Sequence, residues 1–256
     1  QSAGATPDEV LSLLRDSVAL RLRADVPVGI SLSGGIDSSL LALFAREAGH
    51  DQVIAFTVDF ASAPKIELES AKAVAAHLGL EHMVVRSTTA DYVEAAPLAV
   101  WTSDEPIADP AYYSALKVAE AASEAVTVLL AGTGADELFA GYGHHSLSRR
   151  RRVLSRIPKL SRALNGLPGP GLGLGRDELD ALARYRSDRS MWHENAMTHL
   201  TRGEGDDLAR RLGFAKNQDE RIPAAYRRWA QGPAERQQLF VDTVTYLPDQ
   251  LLPLLD

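Results

Sequence analysis

The sequence predicts an α/β fold: a doubly wound parallel sheet with flanking helices, followed by a mostly α-helical C-terminal part. Three observations carry this. Short apolar runs recur near Val28 and at 53–58, 82–85 and 125–130, and segments of helical spacing separate them. Two of the runs end in glycines followed by an acid, Ser33-Gly34-Gly35-Ile36-Asp37 and Gly132-Thr133-Gly134-Ala135-Asp136. Past residue 145 the strand signal stops and helical spacing continues. The expected parts are therefore an α/β core at 1–145 and a helical extension at 146–256 packed on it.

Taken in order, Thr6-Pro7-Asp8-Glu9 has the features of a helix start, with a hydroxyl N-cap, proline at the first position and acids in the first turn. Val10, Leu13, Leu14, Val18 and Leu22 give that helix one apolar face. The run ending at Leu32 is a buried strand. Leu40, Leu41, Leu43 and Phe44 continue as a helix that ends at Gly49. A second strand at 53–58 leads through a loop at 61–65 to an amphipathic helix at 66–78, stopped by Gly79. A third strand at 82–85 precedes a helix at 90–101. Two prolines exclude regular structure at 104–110, a loop that carries three acids. An alanine-rich helix at 111–123 and a strand at 125–130 complete the core.

The rest has fewer landmarks. Arg149-Arg150-Arg151-Arg152 reads as a solvated helix face, with phosphate or partner binding as the alternative. Pro168-Gly169-Pro170-Gly171 opens a looped break, and Leu179, Leu182, Ala183, Leu208 and Leu212 keep helical spacing beyond it. His144, His145 and His193 have no partners at ligand spacing and read as structural or surface residues.

Composition narrows the function classes. An apolar content of 45% and a charged content of 24% suit a globular soluble protein. The net charge of −7 argues against a general nucleic-acid or membrane-surface binder. The absence of cysteine excludes disulfides, thiolate metal sites and a cysteine nucleophile within these residues, and suits a cytoplasmic setting. No apolar run approaches the length of a membrane span, and the start lacks the features of an export signal.

The first glycine loop is an anion site by construction. Glycines allow close backbone approach, and the hydroxyls and amides of a helix start point at phosphate. No lysine follows the glycines, which excludes the P-loop of nucleoside triphosphatases, and the dinucleotide glycine pattern fails as well. Asp37 stands where phosphates would lie. A bare carboxylate about 4 Å from one phosphate charge costs roughly 4 kcal/mol at an effective dielectric near 20. A divalent cation between them removes that cost, and magnesium is held by one or two carboxylates plus phosphates. Taken singly, Gly34-Gly35 also reads as a plain turn and Asp136-Glu137 as a helix cap pair. Two such loops at equivalent strand ends, each with one aspartate, favour a two-carboxylate clamp, with Asp37 and Asp136 as metal ligands.

Ser33-Gly34-Gly35-Ile36-Asp37-Ser38 resembles the pyrophosphatase-type loop of enzymes that split ATP into AMP and pyrophosphate. Gly132-Thr133-Gly134-Ala135-Asp136-Glu137-Leu138-Phe139-Ala140-Gly141-Tyr142 is similar to the second signature of asparagine synthetases and their relatives. Asp104-Glu105-Pro106-Ile107-Ala108-Asp109-Pro110 looks like the acidic loop of the same group, and the likeness resumes at Tyr246-Leu247-Pro248-Asp249-Gln250-Leu251-Leu252.

The resemblance implies an ATP-dependent, amide-forming ligase with ATP and magnesium as cofactors. A substrate carboxylate attacks the α-phosphorus of ATP, and an amine then displaces AMP from the acyl-adenylate. Asp37, Asp136 and Thr133 would be the catalytic positions. Leu32, Ser33, Gly34, Gly35, Asp37, Ser38, Val58 and Gly132 would hold the nucleotide, Leu32 and Val58 at the adenosine.

Asparagine synthetases usually carry glutamate at the position of Thr133, and β-lactam-forming relatives tend to carry tyrosine. The family's adenylation lysine falls beyond the matched segments, so none of Lys65, Lys72, Lys117, Lys159 or Lys216 takes its role, and the chain is expected to stop before its active site is complete. The expected partners are a carboxylate substrate, with aspartate first, and a glutaminase domain or other amine source outside these residues. A homodimer is a further expectation. The alternatives are a natural-product cyclase of β-lactam or lasso-peptide type and a catalytically weak nucleotide-binding subunit.

Overall fold

The structure, a computed structural model, describes residues 5–50, 52–61, 65–103, 111–142, 202–213, 221–228 and 234–252. The acidic loop at 104–110, the arginine run at 149–152, His144, His145, His193 and the break at 168–175 lie outside them. The chain divides into two compact units, the first ending at Thr133 and the second spanning Gly134–Leu252. The division thus falls inside the second glycine motif, earlier than the expected boundary at 145.

In the first unit α1 (Pro7–Arg21) starts with a reciprocal cap. The Thr6 hydroxyl accepts from the Glu9 amide at 3.3 Å, while the Glu9 carboxylate accepts from the Thr6 amide at 2.7 Å. These hydrogen bonds hold the Glu9 carboxyl below its ordinary pKa. The chain then alternates: β1 (Val28–Ser31), α2 (Ile36–Glu47), β2 (Ile54–Phe60), α3 (Ile66–Leu78), β3 (Glu81–Ser87), α4 (Thr89–Ser103), α5 (Ala111–Ser123) and β4 (Val128–Leu130). Gly79 ends α3 in the left-handed region, at φ 64°. Thr88 and Asp91 repeat the reciprocal cap at the start of α4, with the Thr88 amide 2.7 Å from the Asp91 carboxylate.

The four strands among the described residues are parallel, in the order β3-β2-β1-β4. From β1 the chain moves outward through β2 to β3, then returns to lay β4 on the other side of β1. Strand order therefore reverses between β1 and β4, which is where open α/β sheets bind ligands, beyond the carboxyl ends. Val28, Ile30 and Leu32 join Ala42, Phe44, Ala55, Ala71 and Ala75 in one core cluster, under α1, α2 and α3. Phe56 packs on the opposite face with Val118, Ala122 and Val126, beneath α5. Gly29 is required between these layers: a Cβ there would lie 2.7 Å from the Phe56 ring.

Two expectations need adjustment. The strand expected at 125–130 begins only at Val128, because the Ala125 and Val126 amides bond back to the Ala122 carbonyl and complete the end of α5. Conversely, β3 exceeds 82–85, because its ladder with β2 runs from Ile54–Glu81 to Phe60–Ser87.

The second unit holds the short helix α6 (Ala135–Phe139), then α7 (Arg202–Arg211), α8 (Arg221–Arg228), α9 (Ala234–Val244) and a π-helical turn at Leu247–Leu251. Helix α9 packs on α6, on α8 and on the π-helical turn. Its Val241 and Asp242 are fully buried. No helix among the described residues is long and apolar enough to cross a membrane.

Candidate functional site

The first glycine motif forms the bend from β1 into α2. Gly34 adopts φ 79°, a conformation open to glycine at low cost. A Cβ on it would lie 2.5 Å from the Ala71 nitrogen and 2.9 Å from the Glu67 carbonyl, so the loop is pressed against the backbone of α3. Gly35 is the N-cap of α2 and has no side-chain cap. The first turn of α2 therefore starts without a side-chain cap, beside exposed Ser33.

Ser38 ties the loop together from within. It is 6% exposed, and its hydroxyl lies 3.0 Å from the Ser33 hydroxyl, accepts from the Ser33 amide at 3.2 Å and reaches the Gly35 carbonyl at 3.3 Å. Asp37, half-buried, occupies the first turn of α2.

The second motif arrives at the same place along β4, the neighbour of β1. A Cβ on Gly132 would stand 3.3 Å from the Asp37 Cβ and 3.3 Å from the Ser38 nitrogen. Two segments almost a hundred residues apart thus converge at the N-terminus of α2. Thr133 follows, exposed.

Leu32 and Val58 fit the expected adenosine contact less directly. The Leu32 side chain is 1% exposed within the core, and its amide and carbonyl are bonded to the Phe56 carbonyl and the Thr57 hydroxyl. Val58 packs partly buried in the other cluster, on the opposite face of the sheet.

Asp136 belongs to the second unit, in the first turn of α6, which Gly134 caps at φ 99°. A Cβ on Gly141 would fall 1.6 Å from the Asp136 carboxylate, so the missing side chain is the seat of that acid. Glu137 beside it is fully buried and accepts a short hydrogen bond from Tyr142. Its second oxygen has no hydrogen-bond partner among the described residues. Burial, and then this bond, push the Tyr142 hydroxyl far above its ordinary pKa. Tyr142 meets Tyr246 edge-on at 6.2 Å, and a Cβ on Gly134 would lie 3.6 Å from the Leu247 side chain. Tyr246 and Leu247 thus sit beside residues 134–142 within the second unit.

Sequence reasoning passed over Thr57 and His82. Thr57 is 5% exposed; it donates to the Leu32 carbonyl at 2.6 Å and lies 2.7 Å from His82 Nε2. Burial, and then Lys72, hold His82 below its ordinary pKa. A hydroxyl inside an otherwise apolar strand run was the available signal.

Among the described residues no group of three or more His, Asp or Glu side chains could hold a metal. Magnesium is ordinarily held by one or two carboxylates plus phosphate oxygens, so it needs no such side-chain group.

Fold and site together define a parallel α/β domain with a strand–glycine–helix loop at its switch point. The asparagine synthase family matches residues 9–256, and the chain belongs to that family. Over 150 residues it is 41% identical to asparagine synthetase [glutamine-hydrolyzing] 1 of Bacillus subtilis, covering 59% of this chain and 24% of that protein. Over 154 residues it is 30% identical to asparagine synthetase B [glutamine-hydrolyzing] of Escherichia coli, covering 53% and 27%. The chain spans about a quarter of the length of these curated relatives. Among solved structures, a glutamine-dependent NAD+ synthetase from Acinetobacter baumannii in complex with ADP aligns over 91% of this chain and 48% of its own, at 20% identity and a TM-score of 0.42.

Proposed function

We propose that this chain is the ATP-dependent ligase part of an asparagine synthetase-type enzyme, acting in the cytoplasm. It adenylates a substrate carboxylate, aspartate first among candidates, with release of pyrophosphate, and an amine then displaces AMP to leave an amide. The observation that supports this best is the approach of the Gly132 backbone to Asp37 and Ser38, at the N-terminus of an uncapped helix, in a chain of this family.

Each residue has a task in this reading. The Gly34, Gly35 and Ser33 donors take the charge that builds on departing pyrophosphate. Ser38 keeps the loop closed around that charge. Asp37 and Asp136 would be the carboxylates for magnesium, which when bound would neutralise the polyphosphate and polarise it. Glu137 with Tyr142, and Gly141, hold Asp136 in its orientation. The amine source is a glutaminase domain or another donor outside these residues, and the oligomer expected is a homodimer.

Thr133 favours a second reading. It offers a hydroxyl at the position where asparagine synthetases carry glutamate, so a natural-product cyclase that closes its own substrate's amide remains the competitor. A pyrophosphate-release assay separates the two. Aspartate with ammonia should release pyrophosphate and form asparagine under the first reading. Release only with larger amine-bearing carboxylates supports the second, and silence with every acceptor, despite ATP binding, leaves a nucleotide-binding subunit. Calorimetry tests the shared core: ATP should bind more tightly with magnesium than with a chelator, and equal affinities would count against the carboxylate–magnesium account.

A further inference from the structure

Thr57 and His82 carry no part of either glycine motif, yet they are linked to the residue that precedes the first one, Thr57 directly and His82 through Thr57. The ladder between β1 and β2 ends at the Ser31–Phe56 pair. Just beyond it, the Thr57 hydroxyl takes the Leu32 carbonyl at 2.6 Å. A hydroxyl has one proton and a carbonyl can only accept, so that proton lies toward Leu32. His82 Nε2, 2.7 Å from the same oxygen, must therefore be the donor, which fixes the neutral ring as the Nε2–H tautomer.

The other edge of the same peptide is also held. The Ser33 amide donates to the Ser38 hydroxyl at 3.2 Å, and that hydroxyl reaches the Gly35 carbonyl at 3.3 Å. The bonds run in one direction: His82 to Thr57, Thr57 to the Leu32 carbonyl, the Ser33 amide to Ser38, Ser38 to Gly35. Hydrogen bonds aligned in series polarise one another. An anion-binding loop works only while its amides face the ligand and its carbonyls face away.

We infer that Thr57 and His82 are positioning residues of the anion site, locking the Leu32–Ser33 peptide with its carbonyl turned away from the bound phosphates. The inference rests on the proposed function in taking the anion to be a nucleotide polyphosphate. The two side chains touch neither ligand nor reacting atoms. They act through the backbone of Leu32 and the hydroxyl of Ser38.

The test pairs two variants that remove a link with two that keep it, all in the full chain. Thr57→Val keeps the branched shape and loses the hydroxyl; Thr57→Ser keeps the hydroxyl. His82→Leu loses the donor; His82→Gln keeps one. Titration with magnesium–ATP by calorimetry should show Thr57→Val and His82→Leu weaker by about 3- to 10-fold, the net worth of one hydrogen bond. Thr57→Ser and His82→Gln should stay within about twofold of the parent on the same scale. Amide exchange at Ser33 should quicken in the first pair alone, and nitrogen NMR of the parent should report the Nε2–H tautomer at neutral pH.

Unchanged affinity in Thr57→Val, or equal losses in both Thr57 variants, would overturn the positioning role. Should Thr57→Val fail to fold, the His82 pair decides on the same readings. A parent chain that binds no magnesium–ATP sinks the nucleotide reading instead. Ser33 exchange then decides the peptide lock by itself: exchange as slow in Thr57→Val as in the parent refutes it, and faster exchange restored by Thr57→Ser upholds it.

Discussion

Replacing Gly34 by alanine tests how tightly the first glycine motif is held against its neighbours. The substitution has two separable costs. At φ 79° an L side chain sits in the left-handed region, which costs about 1–2 kcal/mol. The added Cβ also lies 2.5 Å from the Ala71 nitrogen, 2.8 Å from the Ser70 Cβ and 2.9 Å from the Glu67 carbonyl. Two of these three atoms are backbone inside α3, so no rotamer change relieves them. The shortfall at Ala71 from ordinary 3.4 Å contact is 0.9 Å, and the loop and helix must part by that amount. Forcing an extra methyl into a packed site costs about 1–3 kcal/mol. Together the two terms come to roughly 2–5 kcal/mol.

For a unit of this size, about 1 kcal/mol moves the melting temperature by roughly 2–4 °C, so a fall of about 4–20 °C is expected. Thermal unfolding followed by circular dichroism measures it, and calorimetry on the folded fraction should show weakened magnesium–ATP binding, because the parted loop carries the proposed anion donors. A variant melting within about 2 °C of the parent would refute the reasoning, since neither the positive φ nor the approach to α3 could then be real.

Three other outcomes follow from the same geometry. Gly132→Ala has no positive-φ penalty and meets Asp37 and Ser38 only at 3.3 Å. It should melt within a few degrees of the parent yet bind magnesium–ATP more weakly, and equal affinity would show that the Gly132 backbone does not border the ligand. Gly141→Ala should displace the Asp136 carboxylate, which occupies the space of the new methyl; titration of the ATP complex with magnesium checks this, and an unshifted curve removes Asp136 from the ion. Acidification supplies the third. His82 stays neutral below its ordinary value of 6.5, through burial and then through Lys72, itself paired with Glu69. An unfolded chain takes up the proton that the folded ring resists, so the stability due to neutral His82 is complete above pH 6.5 and falls as pH drops below it. The parent should therefore lose more melting temperature between about pH 7 and pH 5 than His82→Gln does, and matching slopes would contradict the shift. The lowered carboxyls of Glu9 and Asp91 act in the same direction at lower pH: their contribution holds above their ordinary values of 4.5 and 3.8 and is lost below, outside this window.

Local signals determined much of the fold. The cap at Thr6 and Glu9, the stop at Gly79 and the helix at Ala111–Ser123 were legible because each depends on chemistry within a few residues. The two strand–glycine–acid motifs were legible for the same reason. Where competition between neighbours decided, local reading failed: Ala125 and Val126 have strand-like composition, but their amides were claimed by the Ala122 carbonyl.

Only the tertiary structure could decide what lies beside what. Nothing in the run 125–130 says that its strand pairs with β1 rather than β3, and that choice is what brings Gly132 to Asp37 and Ser38. The same holds for Gly34 against α3, for Gly141 beneath Asp136, and for Tyr246 and Leu247 on the second motif. The reason is physical. Helix caps and turns are set by hydrogen bonds within one or two turns of chain, whereas strand order and side-chain seating are set by burying surfaces that the chain brings together only once it has folded.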